Sequence, residues 1–247
     1  NVNGLYRKQL IRIWHCFIRS PGFTTSSRNA MQPFFRMETL LFPLKKPSPA
    51  AFLIQLFLLY YLPVLLLVSG MLPFSFRWMV LAGIFILSLL LSRLKGYRAE
   101  ELGIRISNLK QSLLANALFI IPVMAIFLLL DDTEALAMKA EPPKTIFFFF
   151  YVLVSSPLQE FLFRSFLFAE MNRSGITRAS AQVVVSAASF AFLHIIYLDA
   201  FTTLATFVAG LVFAGIYRKY PNLAGVSLSH AVIGTLAILA GIARKMS

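Results

Sequence analysis

The chain has 247 residues, of which 58% are hydrophobic and only 13% charged, with a mean hydropathy of +0.76. A soluble domain carries about a quarter charged residues, so this composition excludes a soluble enzyme and implies a polytopic membrane protein. The formal charge of +13, from 23 Lys and Arg against 10 Asp and Glu, lies mostly between apolar stretches, where it orients the chain and meets anionic lipid; it does not imply nucleic acid.

Residues 1–48 form a basic N-terminal segment broken by Pro21-Gly22, Pro33, Pro43 and Pro47. Within it, the run from Leu10 to Arg19 mixes apolar and basic positions and predicts a helix lying on the membrane surface. His15 belongs to that helix and reads as an ordinary interfacial residue. The single cysteine, Cys16, excludes a disulfide framework or a cysteine-based zinc site within one chain. No short apolar core opens the chain, so no cleavable signal is expected.

Residues 49–247 form one transmembrane domain. Its apolar segments fall at about 50–69, 75–93, 111–130, 146–170, 178–198, 200–217 and 223–243, each near the roughly 20 residues needed to cross a bilayer. The expected fold is all-α, a transmembrane helical bundle of about seven spans plus the N-terminal interfacial helix. The N-terminal tail and the connections at 93–110, 171–178 and 218–222 are basic, whereas 131–145 is acidic. Basic loops mark the cytoplasmic side, so the N-terminus is expected inside, in the cytoplasmic membrane of a prokaryote. Arg244-Lys245 breaks the alternation; either the charge bias is weak at this end or one span is re-entrant. Glu100-Glu101 reads as part of a solvated loop or interfacial helix.

The chemistry centres on the fourth segment. Glu160 and Arg164 lie four residues apart and so share a helix face, with the acid first, the better order. Ionisable groups at membrane depth are expensive and point to function, although such a pair can also serve only to pin its helix. Two of the three histidines, His194 and His230, also fall in apolar segments. A lone intramembrane histidine can be no more than an interhelical hydrogen bond; a glutamate and two histidines on three helices form a compact set for acid–base or metal chemistry. At ~1.5 Å of rise per residue, Glu160 lies ~15 Å, His230 ~12 Å and His194 ~20 Å or more from the cytoplasmic side. Bringing them together needs tilted or bent helices, and Pro157 can supply a kink.

Gln159-Glu160-Phe161-Leu162-Phe163-Arg164 resembles the Glu-Glu-x-x-x-Arg motif of the CPBP family of intramembrane proteases (CAAX proteases and bacteriocin-processing proteins). Phe190 to His194 resembles the family's Phe-x-x-x-His, and His230 to Gly234 its His-x-x-x-Asn/Asp. Leu102-Gly103-Ile104-Arg105 is similar to the usual lead-in. The resemblance covers a core of about 146–243 and implies an endopeptidase acting on a lipidated or membrane-embedded peptide. A carboxylate with His194 would activate water, His230 would stabilise the oxyanion, Arg164 would hold the carboxylate, and Phe190 and position 234 would lie beside the substrate. Two positions depart from the pattern: Gln159 stands where the family's base stands, and Gly234 replaces the Asn.

An amide cannot take a proton from water. Three accounts remain: Glu160 takes the role of the base, Gln159 is an engineered substitution that traps an inactive enzyme, or proteolysis is lost and binding kept. A binding, immunity or chaperone protein of the membrane is therefore the alternative reading, with a proton-coupled transporter behind it. No cofactor is expected; zinc through Glu160, His194 and His230 is the variant, though the His-Glu-x-x-His pattern that signals zinc is missing.

Overall fold

The computed structural model describes residues 47–131 and 145–240, all within the compact unit Lys45–Ser247. The N-terminal interfacial helix, the acidic connection and Arg244-Lys245 lie outside the described residues. Those residues fold into helices α1 (Pro49–Val68), α2 (Phe74–Leu94), α3 (Leu109–Asp131), α4 (Thr145–Arg173), α5 (Ala179–Tyr197), α6 (Ala200–Lys219) and α7 (Leu223–Leu239). Of these, α1 to α6 are long and apolar enough to cross a membrane. The seventh expected span appears as the shorter α7, 17 residues long, which ends at its C-cap Ala240. The protein is an integral membrane protein with an all-helical fold.

Helix starts follow local chemistry. Ser48 caps α1, its Oγ accepting from the Ala51 N–H at 3.1 Å, with Pro49 at the first turn, where its missing N–H costs nothing. Asp199 caps α6 by accepting from the Thr202 N–H at 2.9 Å. Asn222 caps α7, accepting from the Gly225 N–H at 3.0 Å. Prolines inside helices leave a different mark. Pro63 and Pro157 are each preceded by a π-helical turn, Phe57–Tyr61 and Tyr151–Ser155. A proline ring crowds the carbonyl four residues back and cannot donate to it; widening the preceding turn relieves that contact without breaking the helix.

The polar run 94–105, expected as a solvated loop or interfacial helix, keeps Arg98 and Glu100 exposed but is also docked onto α4. Lys95 is buried, its Nζ donating to both Glu170 oxygens at 2.8 Å and to Gln55 Oε1 at 2.7 Å. Tyr97 donates to Glu170 Oε1 at 2.8 Å; burial and that carboxylate push its hydroxyl well above its ordinary pKa. Arg173, whose guanidinium carbon lies 3.7 Å from the Tyr97 ring centre, clamps Glu101 through Nε and Nη2 at 2.9–3.1 Å. Glu170 and Arg173 lie on α4, so these bonds fasten the C-terminal end of the helix that carries Glu160.

The lead-in performs a matching task for α7. Gly103 has φ +67°, and a Cβ there would lie 2.4 Å from the Tyr217 hydroxyl, so this turn needs glycine. Its carbonyl accepts from the Leu223 N–H at 2.9 Å, and the Asn222 side chain donates to the Arg105 carbonyl at 2.7 Å. Further along, Ser229 donates to Asn116 Oδ1 at 2.5 Å, tying α7 to α3. The start of α7 is thus held from two sides, which sets the position of His230 one residue beyond Ser229.

Candidate active site

On α4, adjacent side chains diverge by about 100°, and here they separate into two environments. Glu160 is fully buried. Its Oε1 accepts from Arg164 Nη1 at 3.1 Å and from His230 Nδ1 at 2.7 Å. Gln159 instead faces a cavity, held by its Nε2–H donating to Ser155 Oγ at 2.9 Å. A second π-helical turn, Phe161–Phe166, contains Arg164; such turns occur often at functional sites.

Arg164 is wholly buried, and its Nε and Nη2 have no hydrogen-bond acceptor among the described residues. Aromatic faces take that role. The guanidinium carbon lies 4.3 Å from the ring centre of Phe190 and 5.4 Å from that of Phe213, within cation–π range. Phe190 is the common neighbour: its ring centre is 4.8 Å from that of His194 and 5.2 Å from that of His230.

The two histidines are oriented through Nδ1. In His194 it lies 2.8 Å from the Phe190 carbonyl oxygen. A carbonyl only accepts, so Nδ1 carries a proton, and Nε2 is the acceptor whenever the ring is neutral. His230 gives its Nδ1–H to Glu160, and its ring lies nearly parallel to that of Phe213, 5.9 Å away and tilted by 23°. The protein thereby reserves Nε2 of both rings for other partners.

Gln159, His194, His230, Phe190 and Gly234 line one cavity of about 730 Å³ between the helices. The remaining walls are dominated by aliphatic and aromatic side chains. Glu160 and Arg164 do not line it; they stand behind His230 and Phe190. The structure therefore brings five of the seven expected site residues to one chamber and puts the ion pair in the supporting layer. Sequence reasoning missed Tyr151, Phe213, Arg77 and Tyr197, which also line the chamber. Tyr151 had a signal: it precedes Ser155 and Gln159 at intervals of four, the spacing of a helix face.

Zinc through Glu160, His194 and His230 would need these side chains to regroup. Among the described residues no three His, Cys, Asp or Glu side chains come together as a metal site. Glu160 Oε1 already accepts two N–H groups, one from a guanidinium and one from the very histidine that would be its fellow ligand.

A family model described as Rce1-like, type II CAAX prenyl endopeptidase, matches residues 141–236. Neither a curated protein nor a solved structure matches the chain. The matched segment contains all three motifs and every polar residue just placed around the chamber on α4, α5 and α7, and over it the chain is similar to type II CAAX prenyl endopeptidases.

Proposed function

We propose that the chain is a metal-free intramembrane endopeptidase, weakened at position 159, that hydrolyses a peptide bond of a lipidated or membrane-embedded substrate. One observation carries this reading: Gln159, His194 and His230 converge on a single apolar-walled chamber, large enough for a prenyl chain and a few residues of peptide. Neutral His194 accepts a proton from water at Nε2 as the water oxygen attacks the scissile carbonyl carbon. His230 Nε2, when protonated, donates to the resulting oxyanion, while its Nδ1–H stays on Glu160. Collapse of the intermediate breaks the C–N bond, and the proton held by His194 passes to the departing amine. Glu160 and Arg164 act by positioning: the carboxylate orients His230, and the guanidinium offsets the carboxylate charge.

The native chain lacks a carboxylate beside His194, where one would share the proton transfer. An amide there can orient water but not take its proton, so slow turnover follows. The experiment compares cleavage of an S-farnesyl tetrapeptide in liposomes by the native chain, Gln159→Glu and His194→Ala. Slow native cleavage, abolished in His194→Ala and accelerated in Gln159→Glu, supports the proposal. The second reading, a binding protein that has lost catalysis, is favoured by Gln159 itself: its Oε1 is buried without a donor among the described residues and so can receive an N–H from a bound peptide. Tight peptide binding with no cleavage by any of the three would establish that reading instead.

A further inference from the structure

We infer that the Tyr151 hydroxyl serves as an oxyanion donor beside His230, in the place that a side chain at position 234 would otherwise occupy. The inference rests on the endopeptidase reading above and adds a catalytic residue to it. Gly234 lies one helical turn beyond His230 on α7, on the same face. A Cβ built on it would fall 1.7 Å from the Tyr151 Oη and 2.7 Å from Cζ. Those distances are far inside van der Waals contact, so no residue other than glycine fits while Tyr151 holds its position. The two positions are therefore one unit: α7 gives up its side chain, and α4 fills the same volume with a phenol.

What fills that volume is a hydrogen-bond donor whose hydroxyl also neighbours the Ser156 side chain. Tyr151 and His230 both line the cavity. Their rings meet edge to face with centres 6.0 Å apart. Tyr151 is only 8% exposed. Phe147 stacks on its ring at 6.4 Å with a 16° tilt, which limits the rotamers open to it. The residue opens the π-helical turn Tyr151–Ser155 that Pro157 imposes, and Ser155 from that turn holds Gln159. A donor fixed by packing in a water-poor chamber is the arrangement that stabilises developing negative charge most effectively. During attack the carbonyl π pair moves onto oxygen, the Tyr151 O–H donates to it without transferring its proton, and the bond weakens again when the carbonyl re-forms and the C–N bond breaks.

The test uses the full chain in liposomes with two probes. One is an S-farnesyl tetrapeptide; the other is its phosphinate counterpart, in which a tetrahedral phosphorus bearing an anionic oxygen replaces the scissile carbonyl. Tyr151→Phe removes one oxygen and keeps the packing. It is expected to lower kcat by about 10²–10³, the usual effect of deleting one oxyanion donor, with KM within about twofold. It should weaken phosphinate binding at least tenfold more than binding of the amide peptide. The exchange Tyr151→Ala with Gly234→Asn, which moves a donor back to α7, should recover at least about tenfold of both losses, whereas Gly234→Asn alone should be inactive or unfolded. Unchanged kcat in Tyr151→Phe, equal weakening of both probes, an exchange variant that folds without recovery, or no phosphinate binding by the native chain would each overturn the inference. Selective loss of phosphinate affinity without cleavage by any variant would leave the donor assignment standing and remove the endopeptidase reading. Full cleavage by Tyr151→Phe would do the reverse.

Discussion

Glu160 Oε1 and His230 Nδ1 meet at 2.7 Å across α4 and α7, so the carboxylate acts on the chamber through a ring and does not face it. In the proposed mechanism, that division of labour makes position 159, not 160, the place where a carboxylate would assist the proton transfer to His194. Gln159→Glu is expected to raise turnover by about 10²–10⁴, the range for a positioned base, with KM little changed. Single-turnover cleavage of an S-farnesyl tetrapeptide in liposomes reads this directly. A native chain as fast as the variant would show that the amide is no handicap.

Arg164 neutralises Glu160 where water cannot. Arg164→Leu leaves a buried carboxylate with only the His230 N–H, and removing one partner of a buried pair costs about 3–5 kcal/mol. Unfolding of the purified protein in mixed detergent should show a loss of that size. Adding Glu160→Gln should return most of it, since the amide oxygen still accepts from His230 and no charge is left behind. If the double variant is as unstable as the single one, the cation–π packing on Phe190 matters more than charge compensation.

The clamp between Glu101 and Arg173 should respond to acid. Burial raises the Glu101 pKa, but the Arg98 backbone N–H and the Arg173 guanidinium outweigh it and hold the carboxyl below its usual range. A carboxyl depressed by folding contributes stability that is present in full above its unfolded pKa, about 4.3, and is lost as pH falls through the lower folded value. The Tm difference between the native chain and Glu101→Gln should therefore be constant at neutral pH and shrink below about pH 4. A difference that grows on acidification would contradict the assigned direction.

Orientation is tested with single cysteines in a Cys16→Ser background. With the N-terminus inside, Arg98→Cys should be protected from a membrane-impermeant thiol reagent in intact cells, and Glu134→Cys should react. Equal protection of the two would refute the topology drawn from the basic loops.

Much of the fold could be read from hydropathy, because a bilayer forces long apolar helices and little else. The Glu160–Arg164 pair was legible from its spacing alone. Other features depend on distant partners. Glu170 looked like the end of an apolar span, yet its partner Lys95 is 75 residues away, and no local pattern announces it. Tyr151 was hidden among phenylalanines, where one hydroxyl hardly alters hydropathy. Its meaning depends on Gly234, more than eighty positions along the chain. The docking of the run 94–105 was hidden for the same reason: Arg98 and Glu100 are exposed as charges in a loop should be, but Lys95 and Glu101 find Glu170 and Arg173 on α4.

The outer wall of the chamber has a practical consequence. Phe201, Leu204 and Val208 of α6 line the cavity and are also 63%, 62% and 52% exposed, so the same side chains touch both the interior and whatever surrounds the bundle. In a bilayer that surrounding is hydrocarbon, and a slot walled in this way dissolves acyl chains as readily as it does a prenyl group. Lipid tails and detergent tails are therefore expected to compete with substrate for it. Apparent affinity for any hydrophobic peptide will fall as the amphiphile is made longer or more concentrated, and inhibition constants will carry the signature of the medium as much as of the protein.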